Sequence, residues 1–199
     1  MNTNFNIGTM LATGIGLCIA ISVHECGHAL VAYMFGDDTA KKEGRLSLNP
    51  LKHIDLIGLI SLLVFHFGWA KPVPVNPTKF KNYKISNLLV SLAGVAFNII
   101  TAIFCVIIIK NVQIYSVGLV ATMTAMYCIG LASFNLLPIP PLDGWNVIAI
   151  FIPFKYRKYM YKYAQHGFLI LILLMITGTY RYIMNPIYNT IYNFILLFM

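Results

Sequence analysis

Residues 85–109 run for twenty-five positions without a charged side chain, and residues 117–137 for twenty-one. About 20 consecutive apolar residues, rising 1.5 Å each as a helix, cross the hydrocarbon core of a bilayer. Runs of this length therefore dictate membrane-spanning helices before any other feature is weighed. Composition agrees: 59% of the 199 residues are hydrophobic and 10% charged, whereas about 25% of an ordinary soluble domain is charged.

Two further runs are expected to span. The first covers about 6–35, close to 45 Å of helix, and is stopped by Gly36, Asp37 and Asp38. The other covers about 166–184, followed by an apolar, aromatic tail from Pro186 that is too short to cross. Residues 56–69 (LIGLISLLVFHFGW) are apolar but number only fourteen, a length that suits a re-entrant or interfacial segment. In GWAKPVPVNP, 68–77, Pro72, Pro74 and Pro77 forbid a helix interior, and the Val-Pro alternation suits an extended edge. A second proline-rich break, PIPPLDG at 138–144, precedes a short helix at 145–153. The expected fold is an all-α integral membrane protein. It has about four transmembrane helices, a short re-entrant or interfacial segment and a small extended hairpin-like segment near 68–77. The chain reads as one membrane-embedded domain, 1–199, with its motif-bearing core at 6–153 and no cleavable signal peptide, since the N-terminus lacks a basic region.

The net charge of +8 does not indicate nucleic acid, because the basic residues stand in short clusters between apolar runs. If 56–69 does not cross, segments 36–84 and 138–165 share one side of the membrane and hold twelve of the fourteen Lys and Arg residues. The positive-inside bias makes that side cytoplasmic and puts the N-terminus outside. Cys18, Cys26, Cys105 and Cys128 lie in apolar segments without CxxC spacing and read as small buried hydrophobes.

Within the first span stands HECGH, 24–28. Residues four apart share a helix face, so His24 and His28 can hold one metal ion between them, with Glu25 beside them as a general base. An ionisable cluster is costly inside a membrane and by default marks function. Catalytic zinc takes three protein ligands and leaves one position open. Asp37, Asp38 and Asp55 fall in a polar stretch and are expected to be solvated. Asp143 lies between apolar segments, at a depth compatible with His24 and His28; taken alone, it would cap the helix that follows. His53 reads as ordering the polar loop, and His66 and His166 as packed or interfacial rings.

The chain resembles the site-2 protease family of intramembrane zinc metalloproteases, in the form of its small bacterial members that lack PDZ and CBS domains. The match rests on HECGH, on NPLKHIDLIG at 49–58, GWAKPVPVNP at 68–77, SLAGVAFN at 91–98 and NLLPIPPLDG at 135–144. Val95 and Leu56 stand where the family usually has proline. The resemblance implies one zinc ion per chain on His24, His28 and Asp143, with Glu25 catalytic and Asn98 contacting substrate or the developing oxyanion. It implies hydrolysis of peptide bonds in a transmembrane peptide or protein, within the bilayer and near its cytoplasmic face, in a bacterial plasma membrane. Read from the residues alone, Asn98 could equally make a helix–helix hydrogen bond. A non-hydrolytic zinc carrier or sensor would use the same three ligands; Glu25 separates the readings, because a carrier needs no acid-base group.

Overall fold

The computed structural model describes residues 7–65 and 68–199. Eight α-helices follow one another: α1 (Ile7–Met34), α2 (Thr39–Lys42), α3 (Leu56–Phe65), α4 (Tyr83–Asn111), α5 (Tyr115–Asn135), α6 (Asp143–Ala149), α7 (Arg157–Thr177) and α8 (Tyr180–Leu196). Four helical segments are long and apolar enough to cross a membrane, namely 7–34, 83–111, 115–135 and 154–177. The protein is an all-α membrane protein, as its sequence leads one to expect.

Helices α1, α4 and α5 pack against one another and form the centre of the bundle. Small residues are prominent in their buried faces: Ala12, Ala20, Ala32, Ala93, Ala102, Ala121, Ala125 and Ala132 are all buried. Between membrane helices there is no hydrophobic driving force, and small side chains allow the backbones to approach closely. At Gly16 the approach is closest, since a Cβ there would lie 2.8 Å from the backbone nitrogen of Thr124 in α5. The N-terminus of α4 is capped by Asn82, whose side chain accepts from the Ile85 N–H.

The fourth span differs from the expected 166–184. Its helix begins at Arg157, inside the basic cluster, and stops at Thr177 because Gly178 adopts φ +70° and its N–H bonds back to the Met175 carbonyl. The long stems of Lys158 and Lys162 let the first turns carry charge while the helix stays continuous. The tail expected to be too short becomes α8, which packs on α5 and α4 through Ile191 and Ile195.

The residues that flank the 56–69 run meet. Ile54 and Ala70 form an antiparallel bridge, the one β-pairing among the described residues, so both ends of the run lie at the same level. Beyond it, residues 70–77 form an extended strap against the C-terminal end of α1. Val73 packs with Ala29 and Ala40, and Val75 with Phe35, Phe80 and Val90. An irregular backbone packed against the bundle needs its buried polar groups satisfied. Pro72, Pro74 and Pro77 bring no N–H. The Lys71 N–H bonds to the His53 carbonyl (2.9 Å), the Asn76 N–H to Asp37 (2.6 Å), and the Lys71 carbonyl accepts from the Arg45 guanidinium (2.6 Å).

Candidate metal centre

The i, i+4 spacing sets His24 and His28 on the face of α1 that meets α4. Their Nε2 atoms lie 3.1 Å apart, and Asp143 Oδ2 lies 3.2 Å from each. Asp143 is the first residue of α6, which packs on α4, and no side chain caps that helix. The carboxylate is turned inward instead of serving as the cap its sequence position allowed. All three ligand atoms lie within 4.8 Å of one another. Asp143 Oδ2 is buried and has no hydrogen-bond partner of acceptable geometry. Three electron-pair donors thus converge, and the carboxylate oxygen among them is left unsatisfied. Such a donor set fits one zinc ion, two imidazoles and a carboxylate with a fourth position open.

Room for the two rings comes from Gly94 in α4. A Cβ at this position would sit 2.4 Å from His28 Nε2 and 2.5 Å from His24 Cε1. Behind the ligands, His28 Nδ1 lies 2.7 Å from the Val90 carbonyl. A carbonyl only accepts, so this ring carries its proton on Nδ1 and presents a lone pair at Nε2. Asn98 is fully buried, with its amide 3.3 Å from His24 Nδ1.

Glu25 is also buried and stands outside the three-atom cluster. Its Oε2 accepts from the backbone N–H of Val73, at 2.9 Å. Residues 72–74 read Pro-Val-Pro, so this amide is their single donor. The sequence contained the sign of this contact, a lone N–H between two prolines, but not its partner 48 residues away.

The other titratable groups fall into place around the centre. His53 is fully buried, bonds to the Ser47 carbonyl and takes no part in the cluster. His166 is exposed on α7. His66 lies outside the described residues. Asp37, expected to be solvated, is fully buried. Its carboxylate accepts from the Thr39 hydroxyl, the Thr39 N–H and the Asn76 N–H. Burial pushes its pKa up, but these bonds and the nearby Lys79 ammonium outweigh it and hold the carboxyl below its ordinary value. The chain turns back at Gly36 (φ +99°), so the first acid after α1 is tucked under the strap and not left in the polar loop.

Among known proteins, the chain is 39% identical to "Putative zinc metalloprotease YwhC" of Bacillus subtilis, over 88% of this chain and 84% of that protein. It belongs to the site-2 protease family. A more distant relative of this site-2 protease, "Putative zinc metalloprotease Rip2" of Mycolicibacterium smegmatis, is 29% identical over 86% of this chain and 69% of its own length. The Mycobacterium tuberculosis protein of the same name is 25% identical over the same shares. No family model matches the chain, and no solved structure matches it.

Proposed function

We propose that this site-2 protease is a membrane-embedded zinc metalloprotease that hydrolyses peptide bonds of membrane-spanning substrates. His24, His28 and Asp143 hold the metal and Glu25 is the general base. The observation that carries the reading is the convergence of His24 Nε2, His28 Nε2 and Asp143 Oδ2 beside a buried glutamate. The relatives' names point the same way.

Zinc bound at this centre supplies a Lewis acid that polarises the scissile carbonyl and makes water easier to deprotonate. Glu25 takes the proton of the attacking water and returns it to the leaving amine. The Val73 N–H fixes one carboxylate oxygen of Glu25 and leaves the other to exchange that proton. A helical substrate hides its carbonyls in intrahelical bonds, so it must be extended before it is cut. The strap offers an edge for that segment, because the Val75 N–H and the Val73 carbonyl form no hydrogen bond within the protein among the described residues. Pairing there is strand addition.

Glu25 lies nine residues before the end of α1, roughly 14 Å of helix from it. Twelve of the fourteen basic residues lie in the segments on that side, so the positive-inside bias makes it cytoplasmic, with cleavage in the cytoplasmic half and the N-terminus outside. The whole chain acts as one domain.

The test uses purified protein and a transmembrane peptide. Glu25→Gln should keep about one zinc per chain, retain uncut peptide and lose about 100- to 10,000-fold in rate. Asp143→Asn should lose zinc affinity and recover partly in excess zinc. A Glu25→Gln protein that cuts at the wild-type rate ends the proposed mechanism. Wild-type protein that moves zinc across vesicles and cuts no peptide makes it a carrier. For the topology, a cysteine in place of Lys81 should be labelled from the cytoplasmic side alone.

A further inference from the structure

The two histidines of the centre have different supports. Behind His28 stands a backbone carbonyl, which leaves no choice of tautomer. Behind His24 stands the side-chain amide of Asn98, 74 residues away in sequence and on α4, fully buried. An amide can face an imidazole with either end, and the two ends have the same shape, so chemistry decides between them. If Nδ2 donates to His24 Nδ1, the ring proton must sit on Nε2. That proton would then point at His28 Nε2 (3.1 Å) and Asp143 Oδ2 (3.2 Å) and block His24 as a ligand. If Oδ1 faces the ring, it accepts the Nδ1–H and the Nε2 lone pair joins the other two. The structure sets Nδ2 against the ring and leaves Oδ1 buried without a partner; exchanging the two ends keeps the shape, so the need for a lone pair at His24 Nε2 settles the orientation.

We infer that Asn98 is a positioning residue: its Oδ1 accepts the Nδ1–H of His24 and holds that ring in the tautomer and orientation that bind zinc. It does for His24 what the Val90 carbonyl does for His28. This places Asn98 behind the ligand and away from the substrate contact that the family resemblance implied. The inference rests on the metal reading of the proposed function.

The required chemistry is an acceptor at this position, which separates two substitutions. Asn98→Asp keeps the acceptor and loses the donor. Asn98→Leu keeps the approximate size and loses both. The full-length protein in detergent is titrated with zinc against a competing chelator. Asn98→Leu should bind zinc about 10- to 100-fold more weakly, the usual effect of removing such a support, and Asn98→Asp should remain within a few-fold of wild type. Nitrogen NMR of labelled histidine in the metal-free protein should show His24 protonated on Nδ1 in the wild type and in Asn98→Asp, and a mixture of tautomers in Asn98→Leu. This second measurement needs no metal and no activity. Peptide capture by zinc-saturated Glu25→Gln should be unchanged when Asn98→Leu is added.

Wild-type zinc affinity in Asn98→Leu, together with lost peptide capture, would make Asn98 a substrate contact and overturn the inference. So would an Asn98→Asp protein as defective as Asn98→Leu, with His24 protonated on Nε2. His28→Ala in the same titration separates this from the metal reading. If it leaves zinc affinity intact, the centre itself is misassigned; if it abolishes binding while Asn98→Leu does not, the positioning role alone falls.

Discussion

In α1, α4 and α5 the buried positions are held chiefly by Ala, Gly, Ser and Cys, whereas α7 and α8 bury only Gly167, Leu171, Ile191 and Ile195. The first group brings backbones together; the second, apart from Gly167 packed on Pro140, leans long side chains on the outside of a finished bundle. The difference follows the chemistry. His24 and His28 on α1, Gly94 and Asn98 on α4 and Asp143 on α6 must meet within tenths of an ångström, and helices in close backbone contact hold such a constellation better than large, adaptable side chains do. Neither α7 nor α8 supplies a ligand. The comparison predicts that substitutions in the three-helix core damage the site, while substitutions in the C-terminal pair damage stability alone.

The strongest break should come from Gly94→Ala. Its Cβ would overlap both imidazoles, and a displacement of about 1 Å at a reacting group costs roughly 100-fold in rate. Zinc content and peptide cleavage should both collapse, whereas Gly118→Ala in α5, where a Cβ meets nothing within 4 Å, should change neither. Wild-type zinc binding by Gly94→Ala would refute the packing account of the centre.

A smaller effect is expected at the strap. Replacing the Val73 amide by an ester, through incorporation of the valine hydroxy acid, removes one hydrogen bond to a carboxylate, worth about 1.5–3 kcal/mol. Turnover should fall roughly tenfold, the lower end of that range, with zinc affinity unchanged. An unaltered kcat would mean that the strap does not hold the base.

Smaller still at the site, but not in stability, is Leu171→Ala. Leu171 is buried against Leu137, Ile139 and Leu142, and large-to-small changes of this kind cost about 2 kcal/mol or more. The melting temperature should fall, while zinc affinity and cleavage by the folded fraction stay within about twofold, well under the 1.4 kcal/mol that a tenfold change represents. A matching loss of zinc would erase the distinction between core and periphery.

The smallest effect concerns acid. The Asp37 carboxyl titrates lower in the folded protein than its ordinary value, so it contributes stability that is complete above that value and is lost as pH falls through the folded one. Nothing should change near neutrality. Below about pH 4, exchange protection of the Asn76 amide, which Asp37 accepts, should weaken, and Asp37→Asn should lack that pH dependence. Protection that falls already at pH 6 would assign the strap's anchor to another group.

Much of this was legible in the chain. HECGH and Asp143 stood out because charge is scarce in so apolar a sequence, and three of the long helices fell where the apolar runs placed them. The fourth did not, because hydropathy peaks after His166 while the helix starts at Arg157, and because one left-handed glycine, Gly178, ends it. The SLAG motif carried the resemblance, but the reason for its glycine is a contact with rings 66 and 70 residues away, which no local pattern encodes. Asn98 was singled out and its neighbour was not, since an amide reads the same in sequence whether it faces substrate or histidine. Asp37 was misplaced because a polar neighbourhood in sequence became a buried one once the strap folded over it.

The bridge between Ile54 and Ala70 also bears on how the chain is made. It closes the 56–69 run at its neck, so this segment can dip into the bilayer and come back without any polar stretch being carried across. On the topology proposed above, the eight basic residues from Lys41 to Lys84 then stay on the face where they emerge during synthesis. On the same proposed topology the insertion machinery need only thread α1 and α4 as one hairpin of crossings, and the strap that bonds to Glu25 can settle afterwards from its own side.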